Sequence, residues 1–585
     1  MAPSSRQAVH VAVTLLSLST LSSSFKPQSL GGWRRPRATA SASAATSPSP
    51  SSSAGAGAPR VAPLCAATLD GSTSAPSGTT KVSAENPLRV VIAGAGVGGL
   101  ALANAFAHVP HVETTVLEKT SQFKRFGGPI QLASNAMQTL REMDPHMYDR
   151  IEGKATFTGN LTNGIKDGIR DEWYSLFDLK SPAEERGMPF TCVVERPDLQ
   201  EIMLGNLPEG VVQNAAGVAS YQEGATGADP VVVTLEDGTA VAADVLIGAD
   251  GIWSSVRSTM HANPTKGEGS GATYSGYTVY AGELDYAAPD NGEVGYKVYI
   301  GPQQYFVITD IGKGRYQWYA FLAKPVDTAT TEASLKPSEA SSDGCAAGNP
   351  AYLRSVFDGW SNDIHDIIRA TRDDEIEQRD LYDRPPALTK PWTEGRVALL
   401  GDAIHAMMPN LGQGGCQAIE DAAVLAEELS ALEDKSLEHV DGALQAYKSR
   451  RLVRSASVQG LSRFASDIII RGFDTPAKVV DGRLENFNYA GVVTRLLQPI
   501  LPVFFWVQFT FLYDGYKNEV GTKQVASGLG IAAVGSLFLL AFAAVAADAG
   551  LLIAFGVESA AALLDGFGVD AVLETIQGVS DSGVL

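Results

Sequence analysis

The chain has 585 residues, room for about two to four domains, and its 45% apolar composition is ordinary for a globular protein. Its net charge of −20 at pH 7 argues against a nucleic-acid partner, because neutralising phosphates requires clustered Lys and Arg, and the sequence has no such cluster. Four cysteines without a Cys-x-x-Cys spacing are too few for a disulfide scaffold, so we expect a reducing compartment or one in which redox state is unimportant.

The N-terminal segment has the composition of a targeting sequence. Residues 1–24 carry basic residues ahead of an apolar run and end in small residues, which is the layout of a signal peptide. Residues 25–80 are rich in Ser, Ala, Pro and Thr, with four Arg and one acid, which is typical of a transit peptide or a disordered linker. Together they resemble the bipartite presequences of algal plastids, so we expect a plastid location. The alternative is a secretory signal followed by a linker.

The first functional motif is the glycine-rich sequence at residues 94–99, which follows an apolar run and opens a helix of small residues. In this context Gly94 permits a tight turn, Gly96 lets the backbone approach a pyrophosphate, and Gly99 allows close helix packing. The phosphates would lie at the helix N-terminus. Glu118 ends the next apolar run, where an acid can accept a hydrogen bond from a ribose hydroxyl. These residues predict the adenosine half of a dinucleotide site.

The middle of the chain alternates strand-like and helix-like segments. Residues 246–257 contain an apolar run that ends at Asp250 before a helix, and the alternating patterns at 231–235 and 295–300 predict strands. The stretch at about 272–325 is dense in Tyr, Phe and Trp. Such aromatics usually form the core of a sheet, although their density also suits a cover over a large apolar substrate. A mixed α/β architecture is therefore favoured.

The second functional motif is the sequence at residues 401–415, which follows an apolar strand at 396–400. Asp402 therefore lies at the carboxyl end of a strand, and the glycines at 412–415 precede a predicted helix at 417–429. A helix N-terminus bared by glycines supplies backbone N–H groups and a positive dipole, which would stabilise the negative charge of a reduced isoalloxazine. The motif therefore predicts that the dinucleotide is a flavin.

The C-terminal region, residues 431–585, is expected to be mainly helical and apolar. A charged helix is predicted at 444–458, and the aromatic apolar segment at 500–513 is too short to span a bilayer. Residues 525–547 form a run of 23 residues without a charge, which is long enough for one membrane span or an interfacial hairpin. A buried helix is the alternative, because Gly and Ala are abundant there.

The motifs at 94–99, 246–257 and 401–415, in this order, resemble those of single-component FAD-dependent monooxygenases of the aromatic-hydroxylase type. Within that family the sequence resembles the zeaxanthin epoxidases of plastids. The segments that carry this resemblance are 128–136, 273–277, 304–306, 317–320, 379–384 and 401–421. Cys416 stands where many relatives have Asn, and a Cys at this position resembles the sequences of the epoxidase branch. Plant members carry a forkhead-associated domain after the catalytic core, and we expect none in this sequence.

The resemblance implies an α/β fold, in which a Rossmann-like FAD-binding domain at 87–430 contains an inserted, substrate-covering mixed β-sheet at about 272–325. It implies bound FAD and epoxidation of a xanthophyll β-ring through a flavin C4a-hydroperoxide, from zeaxanthin to antheraxanthin and violaxanthin or from diatoxanthin to diadinoxanthin. Molecular oxygen is the implied co-substrate, and NADPH or reduced ferredoxin the electron donor. The implied partners are the carotenoid and a thylakoid or plastid membrane. Because the cofactor carries the chemistry, we expect neither a catalytic side chain nor a metal.

The predicted site residues fall into two groups. By resemblance, Arg196 and Gln200 contact the pyrophosphate and the ribityl chain, and Asp402 holds the ribityl chain. Asp250 and Arg257 would organise the flavin and reductant sites. The predicted cofactor-binding residues are Gly94, Gly96, Gly99, Glu118, Arg196, Gln200, Asp250, Asp402, Pro409, Gly412, Gly414 and Gly415. The predicted substrate residues are Tyr274, Tyr277, Gln317 and Trp318.

Three other functions are compatible with parts of the sequence. A flavin-dependent isoprenoid reductase or cyclase, such as geranylgeranyl reductase, shares both ends of the flavin site and would form no oxygen-dependent product. A non-enzymatic prenyl-binding protein with a degenerate nucleotide fold is disfavoured, because the glycines of both motifs and Asp402 are intact. Hydroxylation of a small phenol is a less favoured alternative, since a polar substrate gives no reason for an apolar C-terminal region.

Overall fold

The computed structural model describes residues 80–123, 128–224, 229–290, 292–301, 303–323, 346–347, 350–469, 498 and 501–514. The predicted signal peptide at 1–24, the predicted transit segment as far as residue 79, and the uncharged run at 525–547 lie outside the described residues.

The strands are β1 (Leu88–Ala93), β2 (Val112–Leu117), β3 (Ile130–Leu132), β4 (Thr156–Phe157), β5 (Thr162–Asp167), β6 (Trp173–Leu176), β7 (Cys192–Val194), β8 (Val212–Gln213), β9 (Val218–Gln222), β10 (Val231–Leu235), β11 (Ala240–Ala243), β12 (Val245–Gly248), β13 (Thr273–Asp285), β14 (Val294–Gly301), β15 (Gln304–Gly312), β16 (Arg315–Ala323), β17 (Ala346–Ala347), β18 (Glu377–Asp383), β19 (Thr393–Glu394) and β20 (Val397–Leu399). The helices are α1 (Val97–Phe106), α2 (Ser134–Met143), α3 (Pro145–Glu152), α4 (Lys180–Glu185), α5 (Arg196–Leu204), α6 (Ser255–Met260), α7 (Pro350–Val356), α8 (Asn362–Ala370), α9 (Asp402–His405), α10 (Gly414–Ser430), α11 (Leu437–Ile469) and α12 (Leu501–Tyr513).

The first sheet has the strand order β19-β20-β12-β1-β2-β8, and its strands are parallel except for the β19–β20 pair. In β1, Val90 lies opposite Thr114 of β2 and Val245 of β12. Apolar residues fill β1 and β12 because other elements cover both faces of a parallel sheet. The predicted strand at 88–93 is confirmed, and the helix expected from residue 100 begins earlier, at Val97.

The second sheet has the strand order β17-β18-β13-β16-β15-β14-β5-β6 and is antiparallel except for the β14–β5 pair. Its outer face, which carries Trp318 and Phe306, packs against helices α7 and α8. Its inner face, which carries Tyr277, Tyr305 and Phe321, packs against the chain that follows α9. Two different cores result because successive side chains of a strand point to opposite faces.

The aromatic stretch predicted as a substrate-covering sheet does form strands, β13 to β16. The sheet is larger than predicted, because β5, β6, β17 and β18 also belong to it. Strand β5, with the sequence Thr-Asn-Gly-Ile-Lys-Asp, has no alternating apolar pattern, and it is held by pairing with β14 and β6. The sequence pattern therefore could not reveal it.

Two helices of the C-terminal region are described. Helix α11 runs from Leu437 to Ile469 and is longer than the helix predicted at 444–458. Helix α12 covers the apolar aromatic segment predicted at 500–513, and it packs against α2, α4 and β6. Among the described residues, no helix combines the length and the apolar character needed to cross a bilayer.

Candidate functional site

The loop between β1 and α1 leaves an open space in front of one of its glycines. Gly94 has a φ of +103°, and a Cβ there would lie 2.5 Å from the carbonyl oxygen of Ala249. A Cβ at Gly99 would overlap the carbonyl oxygen of Gly94, so both positions require glycine. A Cβ at Gly96, by contrast, would meet no atom of the described residues within 4 Å. The loop thus forms a cradle at the N-terminus of α1, as a dinucleotide pyrophosphate requires.

Glu118 lies at the end of β2 beside this loop. Its Oε2 accepts a hydrogen bond from the backbone N–H of Ala95 at 2.8 Å, and its Oε1 accepts from the backbone N–H and the hydroxyl of Thr120 at 2.9 and 2.7 Å. These bonds fix the carboxylate at the loop. Because a carboxylate oxygen has two lone pairs, the group can still accept a bond from a ribose hydroxyl.

Asp250 lies on the other side of the same loop, where β12 ends. Its Oδ2 accepts hydrogen bonds from the backbone N–H groups of Ser255 and Val256 at 2.7 and 3.3 Å, so it helps to cap helix α6. Its Oδ1 is buried and has no hydrogen-bond partner among the described residues. Burial raises the pKa of this carboxyl above its ordinary value, although the hydrogen bonds partly offset the effect. A polar ligand at the loop would supply the missing partner.

Arg196 and Asp402 face a common cleft. Both side chains are exposed to solvent, although neighbouring protein atoms surround them and their charges interact, and we infer from this that they line a cleft. Burial lowers the pKa of Arg196, and Tyr319 and Asp402 partly counter this. Burial likewise raises the pKa of Asp402, and His405 and Arg196 partly counter it.

Arg196 begins helix α5, and Gln200 lies on the same helix. The helix packs against α1, since Asn104 of α1 donates a hydrogen bond to the carbonyl of Met203 at 3.0 Å. The structure therefore places both predicted side chains on a helix adjacent to the one that carries the first glycine loop.

The second glycine loop bares the N-terminus of α10. Pro409 begins a short 3₁₀ turn, Pro409–Leu411, and Gly412 follows it with a φ of +60°. The nearest atom to a Cβ at Gly414 would be Asp402 Oδ1, at 4.0 Å. The side chain of the N-cap residue, Gln413, makes no hydrogen bond to the first turn of α10. Its N–H groups and dipole therefore face the cleft that Asp402 lines.

Strand β3 packs tightly against this second loop. A Cβ at Gly412 would lie 2.6 Å from Gln131 Oε1, and one at Gly415 would lie 2.8 Å from Ile130 Cδ1. The segment at 128–136 carries part of the family resemblance, but the sequence analysis did not predict Gln131 as a site residue. Its proximity to Gly412 places its amide beside the second loop.

A buried ionic network lies behind the second loop, and the sequence did not predict it. Glu420 and Asp421 of α10 are fully buried and bind Arg451 of α11 at 2.6 and 2.7 Å. Glu420 also binds Arg454 at 2.7 Å, and Asp421 Oδ2 lies 2.6 Å from His405 Nε2. Two features of the sequence could have indicated this network. A Glu-Asp pair lies within an apolar helix, and two arginines three residues apart follow it in the next helix.

The network keeps both carboxylates ionised. Burial alone would raise the pKa of Glu420, but Arg454 and Arg451 hold it at about 2. Burial would also raise the pKa of Asp421, and His405 and Arg451 hold it at about 2. Because Asp421 Oδ2 also accepts the backbone N–H of Gly401 at 3.0 Å, the network fixes the start of the second motif.

The predicted substrate residues are not all brought together. Gln317, 3% exposed, is on the inner face, where it accepts a hydrogen bond from Tyr319 Oη at 2.6 Å. Its amide also abuts Gly128, since a Cβ there would overlap Gln317 Nε2. Tyr277 is buried on the same face. The sequence missed Tyr319, although it lies in the motif at 317–320.

The other two predicted substrate residues lie elsewhere. Trp318 is on the outer face, stacked on Phe306, and its Nε1 donates to Thr371 Oγ1 at 2.8 Å. Since it follows Gln317 directly in a strand, the two side chains cannot share a face. Tyr274 lies at the start of β13, with its ring centroid 5.6 Å from that of Tyr382.

The two glycine loops, the cleft acid and the mixed inserted sheet define a flavoprotein of the FAD-binding type. The chain belongs to the FAD binding domain family, whose model matches residues 87–460. This confirms the predicted family of fold and the predicted cofactor, FAD.

Two curated relatives show which proteins this chain is similar to. The chain is 39% identical over 387 residues to the chloroplastic zeaxanthin epoxidase of Oryza sativa subsp. japonica, a match that covers 65% of this chain and 55% of the relative. It is also 39% identical over 391 residues to the chloroplastic zeaxanthin epoxidase of Spinacia oleracea, covering 65% of this chain and 54% of that one. The chain thus spans about half the length of these curated relatives.

Solved structures share the fold. A Klebsiella pneumoniae HpxO variant complexed with FAD matches with a TM-score of 0.56 and 26% identity, covering 66% of this chain and 90% of the other. A salicylate hydroxylase substrate complex matches with a TM-score of 0.57 and 21% identity, covering 74% and 96% respectively, and shows the fold alone.

Proposed function

We propose that this flavoprotein is a monooxygenase that epoxidises the β-ring of xanthophylls, from zeaxanthin to antheraxanthin and violaxanthin or from diatoxanthin to diadinoxanthin. Its support is the similarity to zeaxanthin epoxidases together with one structural observation. The inner face of the second sheet is an apolar wall that ends at the second glycine loop.

The apolar wall is joined to the loop by specific contacts. Tyr305 and Phe321 stack with ring centroids 4.0 Å apart, and Met408 packs in the same buried cluster. Tyr305 Oη donates a hydrogen bond to Asn410 Oδ1 at 2.9 Å, within the 3₁₀ turn that precedes Gly412. An apolar, extended substrate lying along this wall would therefore have one end at the flavin cleft. Desolvation of its hydrocarbon surface would supply the binding energy.

The cofactor-binding roles are proposals that follow from the geometry. The cradle at Gly96, with Glu118 and Asp250 beside it, would hold the adenosine half and the pyrophosphate. Arg196 and Asp402 would hold the ribityl region in the deep cleft. When bound, FAD supplies the activated oxygen, and the protein contributes binding, orientation and exclusion of water.

The protein groups nearest the cleft are suited to orientation rather than to acid–base chemistry. The bared N-terminus of α10 presents backbone N–H groups that stabilise negative charge. Burial raises the pKa of Tyr319 to about 12, with Arg196 and Arg379 partly opposing it, so the phenol stays protonated at neutral pH and donates to Gln317. This pair would hold the polar end of the cleft in one arrangement.

We further propose a plastid location with the presequence at 1–24 and 25–80, because both relatives carry the word chloroplastic in their names. Association with a thylakoid or plastid membrane through residues 525–547 would bring the enzyme to a carotenoid dissolved in lipid. NADPH or reduced ferredoxin would be the electron donor, and molecular oxygen the co-substrate.

The direct test is incubation of the flavin-loaded protein with zeaxanthin or diatoxanthin, air and either electron donor, with products separated and weighed by mass spectrometry. The proposal expects a product heavier by one oxygen atom, and none under nitrogen. A product heavier by two hydrogens, formed equally well under nitrogen, would instead identify an isoprenoid reductase.

A further inference from the structure

The acid that faces the cleft stands on a turn too short to hold its own shape. Asp402 opens helix α9, which has only four residues, Asp402–His405, and follows directly on Gly401. A single helical turn is unstable alone, because forming it fixes the backbone of several residues for one hydrogen bond. The position of Asp402 therefore depends on contacts that other parts of the chain make with this turn.

One carboxylate contacts both ends of the turn. Asp421 Oδ2 accepts the backbone N–H of Gly401 at 3.0 Å and lies 2.6 Å from Nε2 of His405. The Asp421 carboxylate is ionised, because His405 and Arg451 hold its pKa at about 2 against the effect of burial. An ionised carboxylate can only accept, so His405 Nε2 carries the hydrogen and donates it. Asp402 thus lies between two groups that bind the same oxygen atom.

Helix α11 holds Asp421 in turn. Arg451 Nε donates a hydrogen bond to Asp421 Oδ1 at 2.7 Å, and both side chains are fully buried. Four residues earlier on the same face of α11, Tyr447 Oη donates to the carbonyl of Leu399 at 2.9 Å, at the end of the strand that leads into the turn. Helix α11 therefore fixes the strand directly and the turn through Asp421.

The His405 ring is packed so that its bond to Asp421 is its main polar contact. The ring centroid lies 5.7 Å from that of Trp392, and the side chain is 1% exposed. Its Nδ1 is buried and has no hydrogen-bond partner among the described residues. A buried ring whose Nε2 is bonded to a fixed carboxylate is suited to holding the end of the turn rather than to binding a ligand.

We propose that His405 is a positioning residue for FAD binding, which fixes the turn carrying Asp402 through its hydrogen bond to Asp421. The inference rests on the ribityl role of Asp402 in the proposed function. Without the bond, the end of the turn would be free to fray, and FAD would have to order it on binding. That ordering cost lowers the affinity for FAD.

The first test compares two amide variants in the full-length protein freed of flavin, with FAD titrated in and its dissociation constant taken from quenching of flavin fluorescence. In His405→Gln the amide nitrogen reaches the place of Nε2, so FAD binding should stay within about threefold of wild type. In His405→Asn the amide is too short to reach Asp421, and FAD binding should weaken by about tenfold or more, as expected for a lost hydrogen bond to a charged group.

Two further variants support this comparison. His405→Leu, which also lacks the donor, takes the place of His405→Asn if that variant does not fold. His439→Asn is the matched control, because it changes a histidine that is 59% exposed and lies 3.6 Å from Asp434. This control should leave the dissociation constant of FAD within about twofold of wild type.

A double-mutant cycle distinguishes positioning of Asp402 from a general effect on the fold. Asp402→Ala should weaken FAD binding by itself. If His405 acts through Asp402, adding His405→Asn to Asp402→Ala should weaken binding by no more than about a further twofold, because the group that His405 positions is already gone. A purely structural effect of His405→Asn would instead multiply with that of Asp402→Ala.

The outcomes separate this inference from the proposed function. Equal FAD affinities of His405→Asn and His405→Gln, or multiplying effects in the double variant, would overturn the positioning role. Unchanged FAD binding by Asp402→Ala would overturn it together with the ribityl role of Asp402, while leaving the proposed epoxidation intact. If the cycle behaves as expected but the wild-type protein forms no oxygenated xanthophyll, the inference stands and the proposed epoxidation fails.

Discussion

Replacing Gly96 with Val should abolish FAD binding while leaving the apoprotein as stable as wild type. Gly96 has a φ of −71°, which any residue adopts, and in the part of the chain that the structure describes a Cβ there would meet no atom within 4 Å. The substitution therefore creates no clash within the protein, and we expect the free energy of unfolding without FAD to change by less than about 0.5 kcal/mol. The new methyl groups would occupy the cradle that the pyrophosphate needs.

The magnitude follows from mass action. FAD at one hundred times its Kd stabilises the wild-type protein by about 2.7 kcal/mol, because it binds only the folded state. A variant that cannot bind FAD gains none of this. Gly99→Ala is the contrasting control, since its Cβ would overlap the carbonyl oxygen of Gly94 inside the fold. It should lose about 1–3 kcal/mol of stability whether or not FAD is present.

The assay is urea unfolding of each variant with and without FAD, together with the visible absorbance of the purified protein. The expected pattern is a colourless Gly96→Val whose unfolding midpoint does not respond to FAD. A yellow Gly96→Val with the wild-type response to FAD would refute the placement of the pyrophosphate at this loop.

Further predictions concern the buried network and the second sheet. Glu420→Ala leaves two buried guanidinium groups without this partner and should lower the free energy of unfolding in urea by about 3–5 kcal/mol. Glu427→Ala is the control. It breaks a partly exposed ion pair with Arg450 and should lower the free energy of unfolding by less than about 1 kcal/mol. The folded pKa values of Glu420 and Asp421 are about 2, below their ordinary values of 4.5 and 3.8, so the stabilisation from these carboxylates is complete above pH 4.5 and is lost as the pH falls toward 2. The free energy of unfolding, measured from pH 7 to pH 2.5, should therefore decline below pH 4.5. A flat profile would contradict the network. Gln317→Leu should lower kcat/KM for the xanthophyll while FAD stays bound. Trp318→Phe loses one buried hydrogen bond on the outer face, so it should lower the free energy of unfolding by about 1 kcal/mol and leave kcat/KM close to the wild-type value. Equal kinetic effects of the two changes would show that the faces are assigned wrongly.

The sequence predicted the local structure around those candidate site residues that lie within one strand-turn-helix unit. The loop at Gly94 and Gly96 lies within a single strand-turn-helix unit, and Asp402 directly follows a strand, so short-range patterns were sufficient to place them. Strands were predicted in the aromatic stretch because Tyr, Phe and Trp are dense in β13 to β16. The mixed, inserted sheet was implied by the family resemblance.

The parts that the sequence did not predict depend on contacts between distant segments. The network joins His405, Glu420 and Arg451, and burial turns these from ordinary surface residue types into a fixed ionic cluster. Trp318 was assigned to the substrate with its neighbour Gln317, although alternation in a strand separates them. The packing of α12 against α2, α4 and β6 could not be predicted from an apolar segment, because such a segment predicts burial but not the elements it packs against.

The central claim, epoxidation of a xanthophyll ring by a flavoprotein, is tested most directly by the origin of the added oxygen. Flavin-loaded wild-type protein would be incubated with zeaxanthin and NADPH or reduced ferredoxin under isotopically labelled oxygen gas in ordinary water, and then under ordinary oxygen in labelled water. The account predicts that the epoxide oxygen carries the label only in the first experiment, with a second labelled atom appearing as the other ring reacts. Label that enters from water, or a product without added oxygen, would contradict it.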